Sequence, residues 1–439
     1  MRWAQGQTPW FRFLATGAVL SLALIAFLSL NGHYSTNAAK YVLKSSDKQA
    51  SLDPWPSCSN NTNWEFDVQR DGNDHGLSEG QCRSAFPKLF VELDKPAEFR
   101  KKNPITLKDL NDMTVDDGMV RGMIVRGELY IVDFGAMPAT FTRGKATLNS
   151  LHRALASFPG RRHLPNIEFV LTTEDYSTGE GPMWSYSKRD EDQHVWLMPD
   201  FGYWSWPEVR IGSYRDIRQR IAAVDDGEQT QDGHNVAGLR FQDKKKQLVW
   251  RGSVATNPKL RGRLLKAAQG KSWASIRVID WDNENDIRYN LLPMEEHCRY
   301  MFLAHVEGRS FSGRGKYLLN CRSVVVSHKL EWREAHHAAL IASGPEANYV
   351  EVERDFSDLE RKMEFFIDNP EAAERIANNA VRTFRDRYLT PAAESCYWRH
   401  LIRQYASSCD FEPILYSSQK DGKKRPRGTP FETWILTGS

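Results

Sequence analysis

From residue 247 onward, short β-branched runs alternate with helical stretches, and this alternation limits the possible folds more than any other feature. Residues 247–250, 275–279, 300–306, 323–327 and 349–352 read as strands, while 259–268 and 316–320 read as helices. Strands joined through helices pair in parallel, and helices then cover both faces of the sheet. The expectation is an α/β fold with Rossmann-like parallel pairing, whose ligand loops leave the carboxyl ends of the strands. Further helices close the pattern. Ser357-x-x-Glu360 reads as a capping box, and Asn369-Pro370 and Thr390-Pro391 each set a capping side chain before a first-turn proline.

The first half is less regular. Residues 123–125 and 128–132 read as paired strands turning at Gly127, residues 147–158 as a helix, and 167–171 as a short buried strand. Residues 225–238, rich in Asp, Gln and Gly, read as a surface connection between halves. At 439 residues the chain exceeds one ordinary core. Two lobes are expected, at 58–240 and 241–409, the second including the closing helices. Residues 410–439 read as a tail, solvated over the basic stretch 420–427.

The N-terminus carries its own signal. Residues 13–30 contain no charge and approach the ~20 apolar residues that span a bilayer as a helix. Arg2 and Arg12 precede this run and Lys40 is the first charge after it. The positive-inside rule therefore leaves residues 1–12 in the cytosol, 13–30 as a signal anchor and 31–57 as a polar stem. A cleaved signal peptide is the competing reading. Both send the body of the chain into the secretory pathway, and the Asn60-Asn61-Thr62 sequon agrees with lumenal exposure. An oxidising lumen permits disulfides among the six cysteines. Cys58–Cys82 and Cys396–Cys409 are the nearest pairs, with connectivity open. Lys+Arg at 59 against Asp+Glu at 56 argues against a chain built to coat nucleic acid.

Three clusters carry chemistry. Residues 308–316 place Gly308, Gly313 and Gly315 with Ser312, Arg314 and Lys316 between a strand and a helix. Glycines allow close backbone approach, and Arg314 and Lys316 suit a phosphate, although the order is not that of a Walker loop. Trp250-Arg251-Gly252-Ser253 follows a strand of the parallel sheet, where Arg251 and Ser253 can meet phosphate or sugar hydroxyls. Asp175, in Thr172-Thr173-Glu174-Asp175-Tyr176, can take the proton of an acceptor hydroxyl. Asp280-Trp281-Asp282 is a candidate metal pair, and equally a polar strand end. His336 and His337 are adjacent, so they share no helix face.

In order, Asp175-Tyr176, Trp250-Arg251-Gly252-Ser253, His297-Cys298-Arg299-Tyr300, Arg314-x-Lys316-x-x-x-x-Cys321, Glu331-Trp332 and Cys396-Tyr397-Trp398 resemble glycosyltransferase family 90. That group contains Rumi-type protein O-glucosyltransferases and fungal capsule-associated xylosyltransferases. The resemblance implies a two-lobed GT-B-like fold with the donor nucleotide in the C-terminal lobe and the acceptor approaching from the N-terminal one. It implies inversion at the anomeric carbon without an obligatory metal. By position, Asp175 matches the catalytic base. Arg251, Gly252, Ser253, Ser312, Gly313, Arg314 and Lys316 fall in donor segments, and Glu331 is a candidate for hydroxyl contacts. Val254 stands where animal relatives carry a further Arg, and Arg261 is the residue that could compensate. The expected activity is transfer of xylose or glucose from a UDP-sugar to a glycan or protein hydroxyl. The expected setting is a type II membrane protein of the Golgi or endoplasmic reticulum, held in the membrane by residues 13–30, with no nucleic-acid partner. The rival readings are a metal-dependent transferase using Asp280 and Asp282, and a non-catalytic, membrane-anchored carbohydrate-binding protein.

Overall fold

Two β-sheets organise the residues that the structure, a computed structural model, describes: 64–136, 140–177, 181–230, 232–418 and 422–437. The expected cytosolic tail, anchor and stem, with Cys58 and the sequon at Asn60, lie outside them. No helix among the described residues is long and apolar enough to cross a membrane.

The first sheet begins with a hairpin, β1 (Met119–Val125) and β2 (Glu128–Phe134). Arg126 and Gly127 form its turn, with φ of 54° and 76°. Two left-handed central residues make the turn whose twist matches the flanking strands. A Cβ on Gly127 would stand 2.6 Å from the Arg161 carbonyl oxygen, so only glycine fits there. On its other side β1 pairs antiparallel with β3 (Ile167–Thr172). The sheet then continues in parallel through β4 (Met183–Ser185) and β5 (Trp196–Leu197). Helices α1 (Glu79–Ala85), α2 (Val91–Arg100) and α3 (Phe141–Ala156) belong to this half. So does α4 (Tyr214–Asp226), which ends in a small exposed ribbon of Gly227–Gln229 with Asn235–Ala237, inside the segment read as a connection.

The second sheet is parallel throughout, as the alternation implies. β6 (Lys245–Gly252), β7 (Ala274–Val278), β8 (Tyr300–His305), β9 (Val324–His328) and β10 (Val350–Val352) lie in the order β7-β6-β8-β9-β10. Period-two alternation divides its faces. Val249, Leu303 and Val325 join a core continuous with Phe169 and Trp184 of the first sheet. Leu248, Trp250, Phe302, Ala304, Val324 and Val326 join a second core with Leu260 and Leu264 of α5 (Pro258–Ala268). Short helices α6 (Glu284–Asn290), α7 (Met294–His297) and α8 (Gly315–Leu318) lie between strands. Then come α9 (Leu359–Asp368), α10 (Pro370–Ala380) and a π-helical continuation, Val381–Tyr388. Helix α11 (Pro391–Ser407), assigned by sequence to the second lobe, returns to pack on α1, α2 and α3 of the first half.

Several local expectations are corrected. Asp358, not Ser357, is the N-cap of α9, and its carboxylate accepts from the Glu353 amide and pairs with Lys362 rather than capping. The Asn369 side chain donates to Phe365 O instead of capping α10. Thr390 does cap, accepting from the Ala393 amide at 3.2 Å. The cysteines pair Cys82–Cys396 and Cys298–Cys321. Cys396 cannot reach Cys409, because ~20 Å of helix axis separates thirteen positions. The same return of α11 brings Cys396 to Cys82 on α1. Nor is the C-terminal segment merely a tail. Thr429–Pro430 adds an edge strand to β2, Phe431 and Trp434 are buried, and Arg427 pairs at 2.7 Å with the fully buried Glu168 of β3. Glu168 already holds Arg121, and a buried carboxylate between two strands requires such cations.

Non-reducing peptide mapping is expected to return Cys82 linked to Cys396 and Cys298 linked to Cys321. Replacing Cys82 and Cys396 by Ala should cost about 3–5 kcal/mol in urea unfolding, because the bridge closes a wide loop. Removing the bridge between Cys298 and Cys321, 23 residues apart, should cost less.

Candidate active site

The order of the second sheet locates a crevice. From β6 the chain goes to β7 on one side, then crosses to β8 on the other, so β6 and β8 flank a topological switch point. Loops leaving the carboxyl ends of two such strands diverge and open a ligand crevice. Here they are the end of β6, Arg251 and Gly252, with the turn that begins at Ser253, and residues 306–314 after β8.

Three guanidinium groups gather at that point. Arg251, 8 % exposed, donates to Trp250 O at 2.9 Å, to Ser275 O, and to Ser275 Oγ at 3.1 Å. Arg261, on α5 and 6 % exposed, donates to Ser253 O at 2.6 Å and Glu307 O at 3.1 Å. Arg314 donates to Arg251 O. Arg261 and Arg314 both lie over the Trp250 ring, at 5.7 and 6.0 Å from its centroid. Their acceptors are neutral carbonyls and a hydroxyl; among the described residues none of the three has a carboxylate partner. Burial pulls Arg314 down to about 9, with the Arg261 charge adding to the effect. Burial also takes Arg261 to about 10 and lowers Arg251. All three remain charged at neutral pH, so the crevice holds buried positive charge with no internal counter-ion. Such charge is costly unless an anion joins it. Gly252 is required here, since a Cβ would stand 2.8 Å from the Trp250 ring and 3.2 Å from Arg314 Nη2. Ser253 Oγ accepts from the Ala255 amide at 3.2 Å and so shapes the turn. Arg261, considered as a substitute at the position of Val254, does bring its charge to this turn.

Beside the cations lies a cavity of about 410 Å³, lined by Arg251, Arg314, Trp281 and His297 from the second half and by Trp206 and Ile217 from the first. Lys316 does not line it. Its ammonium is fully buried, 2.7 Å from Asp200 Oδ1 and 3.0 Å from Gly313 O. That cation fastens the 308–316 loop to the first half. Ser312 O accepts from the Gly315 amide at 2.9 Å, and Gly313 lies against Trp206.

Asp175 leaves the end of β3. Arg143 on α3, a residue with no sequence signal, pairs with its carboxylate at 2.9 Å and orients it, leaving the side chain 35 % exposed. The Asp175 carbonyl accepts from Ser310 Oγ at 2.9 Å and Ser187 Oγ at 2.8 Å. Ser310 belongs to the loop that carries Arg314, so this hydrogen bond ties the backbone of the acid to that loop. Asp175, Tyr176 and Arg309 line a second cavity of about 240 Å³. Tyr176 packs against Trp332 at 5.3 Å. Glu331 is exposed and paired with Arg354 at 2.8 Å. Glu307, which sequence reasoning passed over, holds that loop: its buried carboxylate accepts from the Glu331 and Trp332 amides at 2.9 and 2.8 Å.

Asp280 and Asp282 are exposed and form a local turn, with Asp280 Oδ1 accepting from the Asp282 amide at 3.0 Å. Among the described residues no group of three or more His, Cys, Asp or Glu is placed to hold a metal. His336 and His337 are buried or nearly so, and the side chain of His336 packs against Phe384.

Comparison with known proteins follows the same lines. The family model described as "Glycosyl transferase family 90" matches residues 78–422. The chain is 25 % identical over 279 residues to the O-glucosyltransferase rumi homolog of Aedes aegypti, covering 58 % of this chain and 64 % of that one. It is 26 % identical over 262 residues to Protein O-glucosyltransferase 1 of Rattus norvegicus, covering 56 % and 63 %. It is also 26 % identical over 269 residues to O-glucosyltransferase rumi of Drosophila melanogaster, covering 57 % and 62 %. The chain thus spans slightly less than two thirds of the length of these relatives.

Two substitutions separate the roles of the cations. Arg314→Gln should weaken inorganic pyrophosphate binding by about tenfold or more, while relief of like-charge repulsion offsets lost packing and holds stability within about 1 kcal/mol. Lys316→Met should instead destabilise by about 3–5 kcal/mol, because it leaves Asp200 buried and unpaired. Calorimetric titration and urea unfolding of both variants check this. A Lys316→Met protein of normal stability that had lost pyrophosphate binding would reverse the assignment.

Proposed function

Since the chain belongs to glycosyl transferase family 90, we propose that it is an inverting transferase moving a sugar from a UDP-sugar to a hydroxyl of a glycan or protein. The fold is read as GT-B-like, with the nucleotide in the 410 Å³ cavity and the acceptor entering beside Asp175. As the bond between the anomeric carbon and the diphosphate oxygen lengthens, the departing UDP gains negative charge. Arg251, Arg261 and Arg314 are already in place to stabilise it. On the opposite face of the sugar, Asp175 accepts the proton of the attacking hydroxyl. One displacement then inverts the anomeric centre.

The observation that carries this reading is the hydrogen bond from Ser310 Oγ to the Asp175 carbonyl. It joins the loop of the base to the loop of the cations. Glucose is the first donor to test, because the relatives are named O-glucosyltransferases; xylose is the second. Two disulfides support an oxidising compartment. We place the catalytic body in the Golgi or endoplasmic reticulum lumen, anchored through residues 13–30.

Asp175→Asn is expected to lower kcat by about 10²–10⁴-fold and leave UDP affinity within about twofold. Release of UDP in the presence of acceptor measures the first, and calorimetry the second. Retention of full turnover by this variant would falsify the assignment of the base.

A further inference from the structure

His297 closes α7 and lines the 410 Å³ cavity between the arginines and the two tryptophans. It is 3 % exposed. Its Nδ1 lies 3.0 Å from the Pro293 carbonyl oxygen. A carbonyl only accepts, so Nδ1 must carry the ring hydrogen and donate it. The ring is neutral: burial pushes its pKa down to about 3, and the charges of Arg314 and Arg251 push the same way. Nε2 is therefore a bare lone pair, buried, with no hydrogen-bond partner among the described residues. An unsatisfied buried acceptor destabilises a fold, and buried polar groups are as a rule hydrogen-bonded. The ring is also held in place. Cys298, the next residue, is bridged to Cys321 just beyond α8.

The chemistry of that lone pair is selective. A phosphate oxygen has no hydrogen to give at neutral pH, so the diphosphate cannot satisfy Nε2. The partner must bring an N–H or O–H. We infer that His297 reads the nucleoside of the donor, its Nε2 accepting a hydrogen bond from either the imide N–H of uracil or a ribose hydroxyl. This inference rests on the nucleotide-sugar reading above and deepens it. The arginines grip any diphosphate, whereas His297 distinguishes what is attached to it. If the imide is the partner, cytosine is rejected, because its N3 presents a lone pair to a lone pair.

The test is calorimetric titration of the full chain with UDP, N3-methyl-UDP, 2′-deoxy-UDP, 3′-deoxy-UDP and inorganic pyrophosphate. His297→Phe should bind UDP about tenfold more weakly and pyrophosphate unchanged. His297→Gln, which keeps an acceptor in place of Nε2, should recover most of the loss. On the native protein one analogue should lose that same factor and should lose little more on His297→Phe. N3-methyl-UDP in that role identifies the imide, and a deoxy analogue identifies the ribose. Native protein that binds every analogue as tightly as UDP overturns the inference without reliance on any variant, as does a folded His297→Phe with unchanged UDP affinity. Native protein that binds pyrophosphate but gains nothing from uridine overturns the nucleotide reading as well, and so the two failures are distinguishable.

Discussion

Uncompensated positive charge at the carboxyl ends of β6 and β8 is the constraint around which the rest of the molecule is arranged. Two buried lysines elsewhere are neutralised by carboxylates. Lys316 has Asp200, and Lys244 has Asp225 at 2.5 Å with neither side chain exposed. Arg399 shows a structural alternative: its guanidinium donates to His75 O, Leu77 O and Ala154 O inside solid packing. Arg251, Arg261 and Arg314 also use carbonyls, but two of them line an open cavity, all three stand close together, and the charge of Arg261 adds to burial in lowering the preference of Arg314 for its charged form. Folding tolerates this because Trp250 offers a π face to two of them and fixed carbonyl dipoles take their hydrogens. What is left over is attraction for an anion, held in reserve by the fold.

For the proposed transfer, that charge has value only if Asp175 is held in place. The Asp175 loop could drift as a surface turn, since its carboxylate has a single cationic partner on α3. Its backbone carbonyl, however, is bound by hydroxyls from both halves, Ser187 and Ser310. Tyr176 on Trp332 adds an apolar contact across the same junction, and Glu307 fixes the chain beneath Trp332 through two amide hydrogens. The site is therefore braced by backbone hydrogen bonds, which hold positions without using the side chains that chemistry needs.

How much of this could be read in advance depends on whether a signal is local. The parallel sheet was legible because β-branched runs spaced by helices admit one arrangement, and its carboxyl-end loops follow from strand order. Gly127 was legible because a two-residue hairpin turn demands positive φ. Arg314 and Lys316 looked alike in sequence, two cations in one glycine-rich loop. They differ because Asp200, more than a hundred positions earlier, reaches one and not the other. Long-range partners also decided the cysteines and Arg427, whose neighbours depend on α11 and the last strand folding back onto the first half. Ser357 and Asn369 had the right chemistry for caps, but neither side chain caps: α9 starts one residue later, at Asp358, whose carboxylate is taken by the Glu353 amide and Lys362, and Phe365 O drew the amide of Asn369. Arg143 and Glu307 carried no signal, since a lone Arg on a helix and a lone Glu after a strand are usually surface charges.

The arrangement also bears on how such a site would work. Pairs that cross between the halves, Lys316 with Asp200 and Lys244 with Asp225, are fully desolvated, and one apolar core runs from Phe169 and Trp184 to Val249 and Leu303. Moving the halves apart would strand buried charges and open that core, each at a cost of several kcal/mol. The crevice is thus formed before anything enters it. Charges fixed in advance need no reorganisation when a leaving group becomes anionic, which is the condition under which electrostatic stabilisation acts on the transition state rather than on the ground state. The buried ion pairs behind the cavity are in this sense part of its chemistry, although neither Lys316 nor Lys244 lines the 410 Å³ cavity.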